Sequence, residues 1–288
     1  MSARLPFPTL AALALMVPGV AAAEPASRPG LFDKDNLVAW CIVPFDAARR
    51  GPEERAAMLE ELGLKKLAYD WREEHVPTFE DEILALRRHG IEFTAYWCSG
   101  GLTETNRKMF ALFEKHGIRP QLWVIAPGPA GATREERVEA AGRALLPLAA
   151  EARRLGSKLA LYNHGGWQGE PETLVAIARW LRAATGGDHV GIVYNFHHGH
   201  EHLDRFPEAF RAMMPYLFCV NLNGMTPGGA KVLPLGSGTE DLKILAMIRD
   251  SGYRGPIGIL DHRPELDAKK SLQENLDGLK TLLEKLGD

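Results

Sequence analysis

Residues 158–200, KLALYNHGGWQGEPETLVAIARWLRAATGGDHVGIVYNFHHGH, carry the pattern that decides the fold. Lys158–Tyr162 is a short apolar run of strand length. It ends in Asn163-His164 and then Gly165-Gly166. Pro171–Thr185 follows with helical character and a proline near its first turn, where the missing N–H costs nothing. Val190–Asn195 is a second apolar run, and it too ends in polar residues, Asn195, His197 and His198. Strand, polar cluster, glycine, helix, strand is a βαβ unit with parallel strands. Ligands of parallel α/β proteins bind at the carboxyl ends of the strands, so these polar clusters mark where function is to be sought.

The same pattern extends in both directions. Strands are expected at 36–43, 66–69, 91–97 and 121–125 before this unit, and at 217–222 and 256–260 after it. Helices are expected at 52–62, 78–88, 103–116, 133–155, 171–185, 204–214, 239–251 and 266–286. Thr78 and Thr133 are read as helix caps, Thr78 with Asp81 in a capping-box-like spacing. Eight strands alternating with eight helices favour a closed (β/α)8 TIM barrel over an open doubly wound sheet. No GxGxxG follows the first strand, which argues against dinucleotide binding.

Ahead of the barrel, Arg4, the apolar run Leu10–Val20 and Ala21-Ala22-Ala23 read as a signal peptide over 1–23, with Glu24 the first mature residue. Residues 24–35 read as a linker, and 36–288 as one barrel domain. Export to the periplasm or the extracellular space is therefore expected, with no membrane association after cleavage. The net charge is −3, which gives no basic footprint for nucleic acid. Cys41, Cys98 and Cys219 are widely spaced with no CxxC, and read mostly as buried small residues.

The strand ends, taken in order, offer Asp46, Asp70 with Trp71, Trp97, then Asn163 and His164, then Asn195, His197 and His198. Asn221 and Asn223, and finally Asp261 and His262, follow. Amides, carboxylates and imidazoles beside tryptophan suit a polyhydroxylated ligand, with hydroxyls to the polar groups and a ring face to Trp97. The run His197-His198-Gly199-His200-Glu201-His202 has spacings that chelate on an extended segment. A divalent metal, zinc, manganese or cobalt, held by His164, His197, His198 and His200 is thus one reading. A solvated histidine loop is the other. Backbone amides of Gly236-Ser237-Gly238-Thr239 could hold an anion at the start of the next helix; the alternative is a plain helix start with Thr239 as cap.

The motifs at these strand ends resemble the xylose-isomerase-like TIM barrels, a family of sugar and sugar-phosphate isomerases and epimerases that also includes endonuclease IV. The matching segments are Tyr162-Asn163-His164 for Glu-Asn-His, Asn195-Phe196-His197-His198 for Asp-x-x-His, and Val220-Asn221-Leu222-Asn223-Gly224 on strand seven. Gly236-Ser237-Gly238-Thr239-Glu240-Asp241 and Gly252-Tyr253-Arg254-Gly255-Pro256 complete the set. The resemblance implies a divalent metal held by Glu, Asp, His and Glu from strands five to eight. Here those positions read Tyr162, Asn195, Asn221 and either Leu260 or Asp261, so the metal core is mostly neutralised. His164 and His198 survive.

The expectation is therefore an exported sugar isomerase or epimerase acting by proton or hydride shift, metal-assisted or not. His164, His198 and Asp261 would carry the chemistry. Asn163, Asn195, Asn221, Asn223, Trp97 and His262 would bind a small-molecule carbohydrate. The rival is a non-catalytic carbohydrate-binding protein on a degenerate barrel.

Overall fold

The eight strand-forming runs pair in sequence order, each parallel to the next, and the last closes on the first. In the computed structural model the strands are β1 (Leu37–Trp40), β2 (Lys66–Tyr69), β3 (Glu92–Trp97), β4 (Gln121–Val124), β5 (Lys158–Tyr162), β6 (Val190–Asn195), β7 (Leu217–Leu222) and β8 (Ile257–Leu260). Around them run α1 (Pro52–Glu61), α2 (Phe79–Arg88), α3 (Glu104–His116), α4 (Arg134–Leu155), α5 (Gly166–Gly169), α6 (Pro171–Thr185), α7 (Phe206–Met213), α8 (Asp241–Asp250) and α9 (Ala268–Leu286). The structure describes Met1, residues 30–98 and residues 100–287. The predicted signal peptide and the linker up to residue 29 lie outside the described residues, apart from Met1.

Strand side chains alternate between two cores, as the twofold period of a strand requires. Leu37 and Ala39, Leu159 and Leu161, and Ile257 and Ile259 face outward and pack under the helices. Val38, Trp40, Ala68, Ala95, Trp123, Ala160, Tyr162, Val193, Cys219 and Leu260 face inward and fill the barrel. Alanines on β2, β3 and β5 leave the room that Trp40 and Trp123 occupy. These two rings meet edge to face with centroids 4.7 Å apart, an arrangement favoured by the ring quadrupoles. All three cysteines are free and buried.

Helix ends show which sequence signals held. The Thr133 side chain accepts the amide of Glu136 at 3.2 Å, and Glu136 accepts the amide of Thr133 at 3.0 Å, a complete capping box on α4. Thr78 does not cap α2. Its hydroxyl donates to the His75 carbonyl at 3.0 Å, because Glu73–Thr78 is already wound as a 3-10 turn that runs into the helix. The linkage of α1 to α2 is a buried ion pair, Arg55 with Glu82. Arg50 joins Asp46 after β1 to Asp267 at the start of α9, both at 2.9 Å. This anchors the loop after β1 beside the mouth of the barrel.

Candidate active site

The carboxyl ends of the strands surround a pocket of about 90 Å³ lined by aromatic rings, four imidazoles, Cys41, Asp70 and Arg72. Its floor is the inward aromatic cluster. Trp97 and Tyr162 stand edge to face at 4.9 Å and 82°, and Trp40 lies 6.0 Å from Trp97. Its wall is a row of histidines contributed by three different strand ends. His164 and His198 have ring centroids 4.2 Å apart, His198 and His197 4.4 Å, and His197 and His262 4.6 Å. Phe45 packs on His262 at 4.0 Å and closes that end.

The neighbours His197 and His198 both reach the pocket because the chain does not continue as a strand there. Phe196–His198 is a single 3-10 turn, whose side chains are about 120° apart rather than on opposite faces. Asn195 fixes it by accepting the His197 amide at 3.1 Å. Gly165 and Gly166 turn the chain after His164 with φ of 71° and 62°, a region in which glycine carries no side-chain penalty. Cys41 and His262 adopt the same left-handed region, at φ 59° and 49°, without that freedom. Such residues cost on the order of 1 kcal/mol each and gather at functional sites. The His262 amide donates to the Cys41 carbonyl at 3.3 Å, so the two strained residues brace each other across β1 and β8.

Electrostatics divide the pocket into one acid and several neutral bases. Asp70 is buried, with one carboxylate oxygen accepting the Val43 amide at 3.2 Å and the other without a partner. Burial pushes its carboxyl up to about 6 against the pull of Arg72. Burial and then mutual repulsion push His197 down to about 3 and His198 down to about 2. His262 is also lowered, chiefly by burial. Burial holds the Cys41 thiol and the Tyr162 phenol in their protonated forms. Arg72 donates to the carbonyls of Asp70 and Trp71 at 2.7 and 2.8 Å and lies over the Phe45 ring.

Several residues singled out in the sequence are placed elsewhere. Asp261 does not enter the pocket. It is buried on the outward side, bonded to Ser271 of α9 and to Arg263 at 3.3 Å. Leu260 takes the inward position. Asn163 spends its amide on the backbone of Asn195, donating to its carbonyl at 3.0 Å and accepting its N–H at 2.6 Å. It locks β5 to β6 rather than orienting a sugar. Asn195 acts at one remove, donating to the Tyr162 hydroxyl. That bond leaves the hydroxyl proton of Tyr162 to be directed elsewhere. Asn221 lies buried against Gly258, whose bare backbone makes room for its amide. Asn223 donates to the Gly224 carbonyl at 2.9 Å. His200 and His202 are not on an extended segment but in a 3-10 stretch, His200–Arg205. His202 is buried against the Tyr194 hydroxyl at 3.0 Å, and His200 binds the Lys231 carbonyl at 3.1 Å.

The glycine-rich loop before α8 does hold an anion, but it is the chain's own. The Asp241 carboxylate accepts the amides of Met225, Gly236 and Gly238 at 2.6, 2.8 and 2.9 Å. Thr239 does not cap the helix, since α8 begins at Asp241 after Glu240.

The donor set does not fit the family's divalent cation. At the four ligand positions stand a phenol kept neutral by burial, an amide engaged with that phenol and with His197, and Asn221, which accepts the Cys219 thiol at 3.4 Å. The fourth is the apolar Leu260. Hard cations require several oxygen donors, with carboxylates for charge. Nor do His164, His197, His198 and His200 replace them. The first three form a row, and the Nε2 of His200 is committed to a carbonyl. Among the described residues no group of three or more His, Cys, Asp or Glu side chains converges to hold a metal ion.

A closed barrel with its site on the strand ends defines the class, and the sequence assigns the family. The sequence profile of the xylose isomerase-like TIM barrel family matches residues 70–282, and the chain belongs to that family. No curated protein sequence matches it. Among solved structures, the IOLI protein with a binding zinc atom has a TM-score of 0.65 at 15% identity, covering 86% of this chain and 98% of that one. The 3-keto-D-glucoside 4-epimerase YcjR from E. coli, in its apo form, has a TM-score of 0.61 at 17% identity, covering 87% and 99%. D-psicose 3-epimerase in the presence of D-fructose has a TM-score of 0.61 at 13% identity, covering 85% and 96%. At these identities the likeness is one of fold.

Sequence reasoning passes over Arg72 and Trp40. It names Asp70 among the strand-end residues without giving it a role, reads Cys41 as a buried small residue, and reads Tyr162 only as a replaced metal ligand. Asp70 stands at the carboxyl end of β2, and that position is the one signal that points to it.

Proposed function

We propose that the protein is a sugar isomerase or epimerase that moves a proton with its own side chains in place of the family's metal-ligand set. The observation that carries this reading is the buried Asp70 carboxylate, with one oxygen unpartnered, in a pocket walled by four imidazoles, of which burial holds His197, His198 and His262 neutral. An unpartnered buried polar atom costs about 1–3 kcal/mol, which a functional role explains. With its carboxyl near 6, Asp70 is ionised at neutral pH yet basic enough to accept a proton. It would take the proton from the carbon beside a substrate carbonyl, and the electron pair would pass to the carbonyl oxygen. His198, held neutral by burial, would stabilise that oxygen by donating a hydrogen bond together with His164, the Tyr162 hydroxyl and Arg72; a neutral imidazole is a known electrophile of this kind. Delivery of a proton from solvent to the opposite face of the carbon would give an epimer, with Asp70 releasing its own proton to water afterwards, and return of the Asp70 proton to the former carbonyl carbon would give an isomer. The fold neighbours named as sugar epimerases support the same substrate class.

The test is proton exchange. Ketoses, aldoses and 3-keto-glycosides would be incubated with the protein in deuterated water and followed by NMR. The expected result is deuterium at the carbon beside the carbonyl, with a rate at least 100-fold lower in Asp70→Asn. Replacement of the family's ligands favours a second reading, a carbohydrate-binding protein. Saturable binding with no exchange on any sugar would establish that reading and sink the first.

We also propose that the chain is exported, on the strength of the Arg4, Leu10–Val20 and Ala21-Ala22-Ala23 pattern. The N-terminal sequence of the secreted protein should begin at Glu24; a retained Met1 would refute it.

A further inference from the structure

We propose that His202 is a positioning residue: its buried imidazole bridges the loops after β5 and β6 and sets the spacing of His164 and His198 in the pocket wall. What that spacing serves rests on the proton-transfer reading; the spacing itself does not. The strands beneath are already joined, through the Asn163 amide and the backbone of Asn195. Beyond the strand ends the ladder stops, and His164 and His198 stand on two separate loops. Their rings are nevertheless in contact, with centroids 4.2 Å apart. The sheet alone does not fix that distance, so the loops need a second tie.

The tie runs through His202. On the β6 side, His198 is followed by Gly199, which lies directly on the Tyr194 ring. A Cβ on Gly199 would stand 3.0 Å from Tyr194 Cζ and nearer still to its hydroxyl. That hydroxyl meets Nδ1 of His202 at 3.0 Å. From the other edge of the same imidazole, Nε2 faces Glu170 Oε1 at 3.6 Å. Glu170 follows Gly169, and Gly169 is buried against the backbone of His164. A Cβ there would stand 3.1 Å from the His164 nitrogen and 3.3 Å from its carbonyl carbon. Glycine at both seats lets the chain come this close. The circuit closes where the His164 and His198 rings touch.

Burial makes the tie firm. His202 is 4% exposed and Tyr194 is fully buried, with its ring against Phe196 at 5.2 Å and Phe206 at 5.4 Å. An imidazole engaged at both nitrogens has its ring orientation fixed. Arg205 also reaches Glu170, but both of those side chains are more than a third exposed, and exposed ion pairs contribute little. Within the run His197–His202, the pocket wall takes His197 and His198, and a loop carbonyl takes His200. His202 has neither task, and its contacts give it this one.

The test reads the ring-to-ring contact itself, by nuclear Overhauser effects on the whole protein with carbon-13-labelled histidine. Wild type should show a cross-peak between the ring protons of His164 and His198. It should show another between those of His197 and His262, whose centroids are 4.6 Å apart. The effect falls with the sixth power of distance, so a small separation is visible. In His202→Ala the first cross-peak should weaken at least fivefold and the second should stay as in wild type. His202→Gln offers a donor and an acceptor to the same two partners, and should restore the first. Glu170→Ala should repeat the pattern of His202→Ala; Glu170 is half-exposed, so this variant decides the matter if His202→Ala does not fold. An unchanged His164–His198 cross-peak in the alanine variants would overturn the proposal. So would an equal loss of both cross-peaks, which would mark general loosening rather than positioning. The measurement needs no turnover. Selective loss of the first cross-peak with no proton exchange on any sugar would keep the positioning role and remove the proton-transfer reading. Exchange in wild type with an unmoved cross-peak in the variants would do the reverse.

Discussion

Replacing Asp70 by asparagine should make the protein more stable at alkaline than at acid pH, relative to wild type. In the unfolded chain this carboxyl ionises near 3.8, and in the folded protein near 6, because burial disfavours the charge. The folded state therefore holds the proton more tightly. Its contribution is most favourable below pH 3.8, declines as pH rises from 3.8 to 6, and is constant above that. The interval corresponds to about 3 kcal/mol. Asparagine keeps an oxygen to accept the Val43 amide and has no charge to bury. Urea denaturation of both proteins at intervals from pH 4 to pH 8 gives the difference in unfolding free energy. The Asp70→Asn minus wild-type difference should rise by about 2–3 kcal/mol across that range. Subtracting wild type removes the parallel contribution of Asp261, whose carboxyl burial also raises, to about 7. A difference that stays flat with pH would refute the claim that a charge is stored at Asp70 at the expense of stability, and with it the main argument for its role as a base.

Three further predictions concern the frame around the pocket. Gly258→Ala would drive a methyl group into the Asn221 amide between β7 and β8, and should destabilise by about 1–3 kcal/mol in chemical denaturation. Asp241→Ala strips the acceptor from the amides of Met225, Gly236 and Gly238. It should cost at least about 3 kcal/mol and raise hydrogen exchange at those three amides first. Cys41, Cys98 and Cys219 are buried with thiols raised above their ordinary value. Aromatic disulfide reagents at pH 7.5 should therefore titrate no thiol until the protein is unfolded, and then three.

The barrel is legible in the sequence because each unit repeats the same local physics. A run such as KLALY is too short for a helix and too apolar for a loop, and glycine or a capping threonine marks the next turn. The strands lie where the apolar runs put them. The facing of the last strand is not legible, because one residue of slip exchanges the two cores. Only closure against β1, with Trp40 paired to Leu260, turns Leu260 inward and Asp261 out to Ser271. The histidine wall is half legible. His164, His197, His198 and His262 stand in the sequence as strand-end residues, but the 3-10 turn that brings His197 and His198 to one side depends on the Asn195 side chain. The asparagines mislead for a related reason. An amide at a strand end suits a ligand and suits a neighbouring strand equally, and for Asn163 the backbone of Asn195 is nearer. Asp70 has no motif around it, and its weight comes from burial, a property of the assembled barrel.

The aromatic floor also gives the protein an optical signature at its own mouth. Three of the six tryptophans, Trp40, Trp97 and Trp123, are clustered along the barrel axis. Rings this close and mutually tilted couple their transitions, so the near-ultraviolet circular dichroism should be dominated by one small region rather than averaged over the molecule. Trp97 forms part of the pocket wall, and a ligand arriving there exchanges water for carbon against its indole. The emission of the unlabelled protein is thus a direct readout of whether the mouth of the barrel is filled.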